Sequence, residues 1–242
     1  MSYNVLVRSR YGLMLVNRND QYIGRGFLEY GEFSTGECDL FAEHVKPGHT
    51  VIEVGANIGA HTVRLAQLVG PTGRVIAYEP QRILFQTLCA NVQLNQLTNV
   101  DARLAAVGSQ PGTIRVPDLD PNTPMNFGGL NIEGRVRGTD VPLETLDTIE
   151  RCDFLKLDCE GMERDALLGA KEMIARSRPV IYLENDRSDR SDALIETVKA
   201  LGYAPEWHTP LLYSPDNFAK NLTNVFGEIA SINMLCLPTE AP

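Results

Sequence analysis

No stretch of this sequence approaches the roughly 20 consecutive apolar residues that a membrane-spanning helix requires. Met1-Ser2-Tyr3-Asn4 opens no charged segment followed by a long apolar one. A cytoplasmic protein without membrane insertion is therefore expected. Basic side chains are in deficit: 22 Lys and Arg against 31 Asp and Glu give a formal net charge of -9. That balance argues against a surface built to neutralise phosphates, and so against nucleic acid as a partner. Paired cysteines are missing too. Cys38, Cys89, Cys152, Cys159 and Cys236 are odd in number, widely spread and contain no C-x-x-C. Reduced core thiols are expected in place of a disulfide frame or a zinc site. Internal repeats, charge blocks and low-complexity tracts are absent, and so is the G-x-G-x-x-G fingerprint of a dinucleotide site, which counts against a nicotinamide-dependent oxidoreductase.

What the sequence does contain is an apolar run that ends on glycines. Thr50-Val51-Ile52-Glu53-Val54-Gly55-Ala56-Asn57-Ile58-Gly59 leads into a pattern in which Ile58, Thr62, Leu65, Ala66 and Val69 share one helical face. Such a strand, turn and helix gathers backbone N–H groups at the C-terminal edge of a sheet, where glycine lets a ligand approach the main chain. Glu53, two residues before Gly55, repels a pyrophosphate and attracts an ammonium or sulfonium. S-adenosylmethionine carries both of these groups. Further on, Gly73-Arg74-Val75-Ile76-Ala77-Tyr78-Glu79-Pro80 reads as a second strand ending in an acid. A carboxylate there accepts both ribose hydroxyls of an adenosine, each bond worth roughly 1.5 to 3 kcal/mol.

Residues 3–30 alternate apolar and polar positions, with Val5, Val7, Leu13, Leu15, Ile23 and Phe27 marking short strands of a β-hairpin cap. Ser34-Thr35-Gly36-Glu37 matches a capping box and opens a short helix that Lys46-Pro47-Gly48 ends. Residues 1–48 thus form an N-terminal hairpin and helix extension, and 49–242 a single domain. Within it the pattern predicts a second helix over 82–97 and a third strand over 99–107, whose end near Ala106 receives the adenine. A short strand over 112–116 follows. Residues 117–139 lack periodicity, and a loop this long inside a domain is usually functional or disordered. Asn126-Phe127-Gly128-Gly129, in its middle, is a candidate lining of a substrate pocket.

A fourth strand over 152–161 ends in Asp158 and Glu160, which share a face if the extended geometry continues past the sheet. A helix over 162–175, a fifth strand over 180–186, a helix over 191–201 and a closing antiparallel pair over 204–208 and 231–237 complete the pattern. Alternating β and α units predict an α/β, Rossmann-like doubly wound sheet, mostly parallel with an antiparallel C-terminal strand. It brings Glu53, Glu79, Asp158 and Glu184 to the edge at which such sheets bind ligands.

Three separated motifs carry a family resemblance: Glu53-Val54-Gly55-Ala56-Asn57-Ile58-Gly59, Lys156-Leu157-Asp158-Cys159-Glu160-Gly161-Met162-Glu163, and Asp216-Asn217-Phe218 followed by Asn224-Val225-Phe226 and Ser231-Ile232-Asn233-Met234-Leu235. With them the sequence resembles the FkbM family of S-adenosylmethionine-dependent methyltransferases over roughly residues 31–237. Glu53 departs from the Asp of many members and keeps the charge. The resemblance implies a class I methyltransferase fold and mostly O-methylation of natural-product or sugar hydroxyls. It implies that Glu53, Gly55, Asn57 and Gly59 hold the methionine end and Glu79 the ribose. His61 sits where related catechol-type enzymes place a hydroxyl that touches the cofactor carboxylate.

Transfer to an oxygen requires the acceptor's proton to leave, and two solutions fit. One is a general base drawn from Asp158, Glu160, Glu184 or His208. The other is a divalent metal, Mg²⁺ or Mn²⁺, on Asp158, Glu184 and Asn185, an arrangement similar to the metal ligands of catechol-type O-methyltransferases. Without metal, Asp158 and Glu160 would bind the cofactor's amino group. The expected partner is a small-molecule or glycan acceptor, and an N- or C-directed methyltransferase is the alternative. A non-catalytic binding subunit would have no need of four strand-end acids.

Overall fold

A computed structural model describes residues 2–129 and 137–239 of the chain. The chain opens with an antiparallel hairpin, β1 (Asn4–Ser9) and β2 (Gly12–Asn17), followed by helices α1 (Ile23–Tyr30) and α2 (Thr35–His44). Alternating units come next: β3 (Thr50–Val54), α3 (Thr62–Val69), β4 (Arg74–Tyr78), α4 (Arg82–Leu94) and β5 (Val100–Arg103). Three short strands, β6 (Ala106–Val107), β7 (Gly112–Val116) and β8 (Thr139–Glu144), make a separate sheet of order β6-β8-β7. The remaining elements are β9 (Phe154–Leu157), α5 (Glu163–Leu168), α6 (Lys171–Ser177), β10 (Val180–Glu184), α7 (Ser191–Ala200), β11 (Tyr203–His208) and β12 (Asn233–Pro238).

The main sheet has seven strands in the order β11-β12-β10-β9-β3-β4-β5, with β12 antiparallel to both neighbours and the inner strands parallel. Strand alternation divides its side chains between two apolar layers. Ile52, Val54, Ile76, Leu155 and Leu157 pack on one face against Leu167, Met173, Ile174 and Val198. Val51, Val75, Ala77 and Phe154 pack on the other against Phe41, Leu65, Val69 and Leu88. Helices cover both faces, which is why these strands read as near-continuous apolar runs.

The hairpin is fastened to α4 by side chains that stand in for a neighbouring strand. Asn95 accepts from Leu13 N at 2.9 Å and donates to Leu13 O at 2.7 Å, and Asn91 does the same for Leu15 at 2.6 and 3.1 Å. The free edge of β2 is thereby satisfied. The N-terminal segment is also tied to the segment before β12. Tyr30 Oη donates to Thr223 O and accepts from Val225 N, and Glu32 accepts from Phe218 N.

Several sequence expectations change here. Residues 23–30 are a helix: Ile23, Phe27 and Tyr30 are spaced for a helical face, and the buried Asp20 carboxylate accepts from the Tyr22 and Gly24 amides at its start. The expected third strand stops at Arg103, and Ala106–Val107 leaves the main sheet to pair with β8, a strand the pattern did not reveal. The helix over 162–175 is two helices broken at Gly169, where a Cβ would lie 2.0 Å from Gly108 O. At the start of α2, Ser34 is left-handed and its hydroxyl donates to Glu37 Oε1 at 2.6 Å, so the capping box does not close on backbone amides. Of the long loop, residues 130–136 lie outside the described residues.

Candidate active site

A cleft of about 240 Å³ opens over the C-terminal ends of β3, β4, β9 and β10. Its centre is the turn after β3. The Gly55 and Ala56 amides both donate to Tyr78 O, at 3.0 and 2.9 Å, which folds the chain back over β4. Gly55 has φ +81°, and a Cβ there would lie 1.7 Å from Asp158 O. Glycine is needed at this point because the β3 and β9 turns touch, which adds a protein contact to the ligand approach expected from the sequence. Asn57 also takes a positive φ, 52°, and its amide is then fixed by Glu79.

Glu79 is 4% exposed, accepting from Asn57 N through Oε2 at 2.8 Å and from Gln81 N through Oε1 at 2.7 Å. Burial, opposed by those two amides, pushes its pKa up to about 7. A carboxylate has about four acceptor positions, so two remain for a ribose diol. Pro80, Ala106 and Val107 also line the cleft. Glu53 is 1% exposed and accepts from Thr62 Oγ1 at 2.6 Å. Burial raises its pKa to about 7, against the opposing pull of Lys156 and Thr62.

His61 lies in the cleft wall, edge-on to Phe41 with ring centroids 5.2 Å apart. Burial, reinforced by Lys156, lowers its pKa to about 3, so the ring is neutral. Its Nε2 is buried and has no hydrogen-bond partner among the described residues. A carboxylate at the methionine end of a cofactor is the kind of group this orphaned atom suits, when its proton is on Nε2.

Beyond β3 the acids gather. Asp158 pairs with Lys156 at 2.9 Å, and Glu160 accepts from Arg187 Nη2 at 2.8 Å. Burial, then Asp158, raise the pKa of Glu160 to about 8. Burial and Asp158 raise that of Glu184 well above the ordinary carboxylate value, and its Oε2 has no hydrogen-bond partner among the described residues. One oxygen from each of Asp158, Glu160 and Glu184 lies within 4.8 Å of the others. They meet although the extended geometry does not continue: Glu160 has φ 57°, and the reversal of the chain turns its side chain back.

The structure does not bring Asn185 or His208 into this group. Asn185 Nδ2 donates to Ser191 Oγ at 3.0 Å and to Met234 Sδ, and its place in the acid cluster is taken by Glu160. His208 stands outside the cleft wall, with Nδ1 2.9 Å from Tyr182 Oη. Glu53, Gly55, Asn57, His61, Glu79, Ala106, Asp158, Glu160 and Glu184 all line the cleft, as do residues 126–129 of the long loop. Gly59 is absent from the wall; its φ of +84° shapes the turn behind it.

Two charged wall residues, Lys156 and Glu37, are not among the expected site residues. Lys156 is 2% exposed and lies opposite Glu53 in the strand register. A cation inside the apolar run Phe154-Leu155-Lys156-Leu157 was the signal available for it. Glu37 belongs to the capping box and ends the segment from Tyr30 that reads either as a lid over the cofactor or as plain packing, and no local pattern singles out its carboxylate as a cleft residue.

Comparison with known proteins agrees with this geometry. The family model described as the methyltransferase FkbM domain matches residues 53–205. The methyltransferase sdnD of Sordaria araneosa is 28% identical over 178 residues, 59% of this chain and 68% of its own. Among solved structures, the precorrin-6y C5,15-methyltransferase of Geobacter metallireducens is similar with a TM-score of 0.56 at 14% identity, over 84% of this chain and 87% of that one. Aeropyrum pernix fibrillarin, solved with natively bound S-adenosylmethionine, is similar with a TM-score of 0.51 at 15% identity, over 98% and 94%. An FkbM methyltransferase of Methylobacillus flagellatus gives 0.50 at 20% identity, covering 83% of this chain and 51% of its own.

The seven-stranded sheet with its reversed β12 and acid-flanked glycine turn is that of a class I S-adenosylmethionine-dependent methyltransferase. Within that class, the chain belongs to the FkbM methyltransferase family.

Proposed function

We propose that this methyltransferase acts on a hydroxyl group of a small metabolite, natural product or sugar. The observation that carries this reading is that the cleft continues past the cofactor turn onto β9 and β10, where Asp158, Glu160 and Glu184 converge. A neutral amine needs no help to attack a methyl group, whereas an alcohol must lose its proton. Carboxylates around the acceptor position suit the second case.

In this reading Glu79 takes the ribose hydroxyls, with Ala106 and Val107 against the adenine. The turn from Gly55 to Asn57 and His61 hold the methionine end, and Asp158 faces its ammonium. S-adenosylmethionine supplies an activated methyl group on a sulfonium. The protein's part is to hold the acceptor oxygen in line behind that carbon, and positioning of this kind supplies roughly 7 to 11 kcal/mol. Burial raises the pKa values of Glu53, Glu79 and Glu160, and a cationic ligand in the cleft opposes that shift, so binding of the sulfonium and ammonium favours their charged forms.

A second reading places Mg²⁺ or Mn²⁺ on Asp158, Glu160 and Glu184, hard oxygen donors of which Glu184 Oε2 has no hydrogen-bond partner among the described residues. Methyl transfer to a panel of hydroxyl, amine and activated-carbon acceptors, with the product's methyl carbon located by NMR, tests both readings. An O–CH₃ product supports oxygen as the acceptor atom, and an N–CH₃ or C–CH₃ product overturns it. Loss of transfer in EDTA, restored by Mg²⁺, supports the metal.

A further inference from the structure

Ser231-Ile232-Asn233-Met234-Leu235 carries part of the family resemblance and has no part in the cofactor turn. With the adenosine at Glu79 over β4, the β10 and β12 side of the cleft, where Glu184, Ser231 and Asn233 lie, is left for the acceptor. Asn233 opens β12. It pairs with Glu184 at the end of β10 and with His208 at the end of β11, so the reversed strand brings an amide to the same sheet edge as the acids.

The amide is held in one orientation. Asn233 is 4% exposed, and its Nδ2 donates to Tyr182 Oη at 2.8 Å. A phenol oxygen that accepts from Asn233 has its own hydrogen free, and Nδ1 of His208, 2.9 Å away, is placed to receive it. Packing holds the Tyr182 ring as well: it stands edge-on to Phe41 with centroids 5.4 Å apart, and 5.7 Å from the His208 ring. Fixing Nδ2 on one side fixes Oδ1 on the other.

Oδ1 is the open end of this chain of bonds, since no hydrogen bond to it is made among the described residues. An amide oxygen in a buried residue has two acceptor positions and calls for at least one donor. Because Asn233 lines the cleft, that donor belongs to the cleft's occupant. The reacting hydroxyl is not the best fit, because it must surrender its hydrogen and a neutral amide is no base. A donor that keeps its hydrogen suits Oδ1.

We propose that Asn233 Oδ1 accepts a hydrogen bond from a second hydroxyl or N–H of the acceptor, near the hydroxyl that receives the methyl group, and that Tyr182 and His208 position Asn233 for that contact. The proposal rests on the O-methyltransferase reading. Holding the acceptor at a second point limits its rotation and keeps the reacting oxygen in line behind the methyl carbon. It also makes Asn233 a specificity residue. An ether or carboxylate in the second position brings no hydrogen and sets its lone pairs against Oδ1, so such an acceptor is disfavoured.

The test uses S-adenosylmethionine tritiated at its methyl group, with the 1,2- and 1,3-cyclohexanediols and their monomethyl ethers as probes. Each ether keeps one hydroxyl to be methylated and loses the second donor. For the better diol, kcat/KM about tenfold or more above that of its ether is expected. Asn233→Ala should erase this preference by lowering transfer to the diol about tenfold, with transfer to the ether and S-adenosylhomocysteine affinity each within about threefold. Tyr182→Phe should lower transfer to the diol about threefold or more in the wild-type background and have no further effect in Asn233→Ala, the mark of a residue acting through Asn233. If Asn233→Ala does not fold, Asn233→Ser decides, with the same loss of preference expected. Equal transfer to diol and ether by the wild type, a preference that survives in the Asn233 variant, or a Tyr182→Phe effect that adds in full to that of Asn233→Ala overturns the proposal and leaves the O-methyltransferase reading standing. Transfer to none of these hydroxyls by a protein that binds S-adenosylhomocysteine would instead overturn that reading, and the proposal with it.

Discussion

Lys156 is the cation on which the acidic cleft depends, and replacing it with methionine exposes that dependence. Its Nζ lies 2.9 Å from Asp158, and the side chain is opposite Glu53 in the register. Burial would push the ammonium toward its neutral form, but Asp158, Glu53 and Glu37 more than compensate and keep it charged. Lys156→Met keeps the apolar stem and removes the charge, leaving buried carboxylates without a counter-ion. Breaking a buried pair in this way costs about 3–5 kcal/mol. Asp158 is 38% exposed, which places the expected loss at the lower end of that range.

The loss should depend on pH. The carboxylates can escape by taking up protons, so urea unfolding should show a loss of about 3 kcal/mol near pH 7.5 and clearly less near pH 5.5. Removing a positive charge beside a cationic ligand should also raise the preference for S-adenosylmethionine over uncharged S-adenosylhomocysteine. A loss below about 1 kcal/mol, or one equal at both pH values, would refute the reasoning.

Two further outcomes follow from the same carboxylates. Glu79→Ala removes both ribose acceptors and should weaken S-adenosylhomocysteine binding by about 10- to 100-fold with circular dichroism unchanged; unchanged calorimetric affinity would remove Glu79 from the ribose site. Glu53, Glu79 and Glu160 have folded-state pKa values of about 7, 7 and 8 against an ordinary 4.5. Between those limits the folded protein holds more protons than the unfolded one, so stability falls as pH rises through the window. The ligand-free protein should melt several degrees lower near pH 8.5 than near pH 5.5, at roughly 2–4 °C per kcal/mol. A melting temperature that rises over this range would contradict the buried-acid description.

The features legible in the sequence were those that use one residue type for one physical purpose. A strand that must be buried on both faces reads as an apolar run, and a turn that must admit close contact reads as glycine, so β3, β4, β9 and β10 and their terminal acids could be placed. What the sequence concealed was set by partners distant in the chain. Residues 23–30 looked strand-like because Gly24 and Gly26 interrupt the helical face, yet Gly24 is required where a Cβ would lie 2.2 Å from Asn17 O. The break at Gly169 answers to Gly108, and its carbonyl is taken by the Leu146 and Asp147 amides. Asn185 looked like a ligand beside Glu184, but neighbours on a strand point to opposite faces, and Glu160 reaches the cluster through a left-handed turn that spacing alone does not show.

The most direct test of the account is isothermal titration of the purified protein with S-adenosylhomocysteine, first with EDTA and then with Mg²⁺ or Mn²⁺. One equivalent binding with a Kd on the order of micromolar or tighter is predicted, with EDTA leaving it in place because Glu79, the Gly55 turn and His61 are sufficient. No binding heat from a folded protein under any of these conditions would leave the sheet as described and contradict the assignment of its acid-lined cleft.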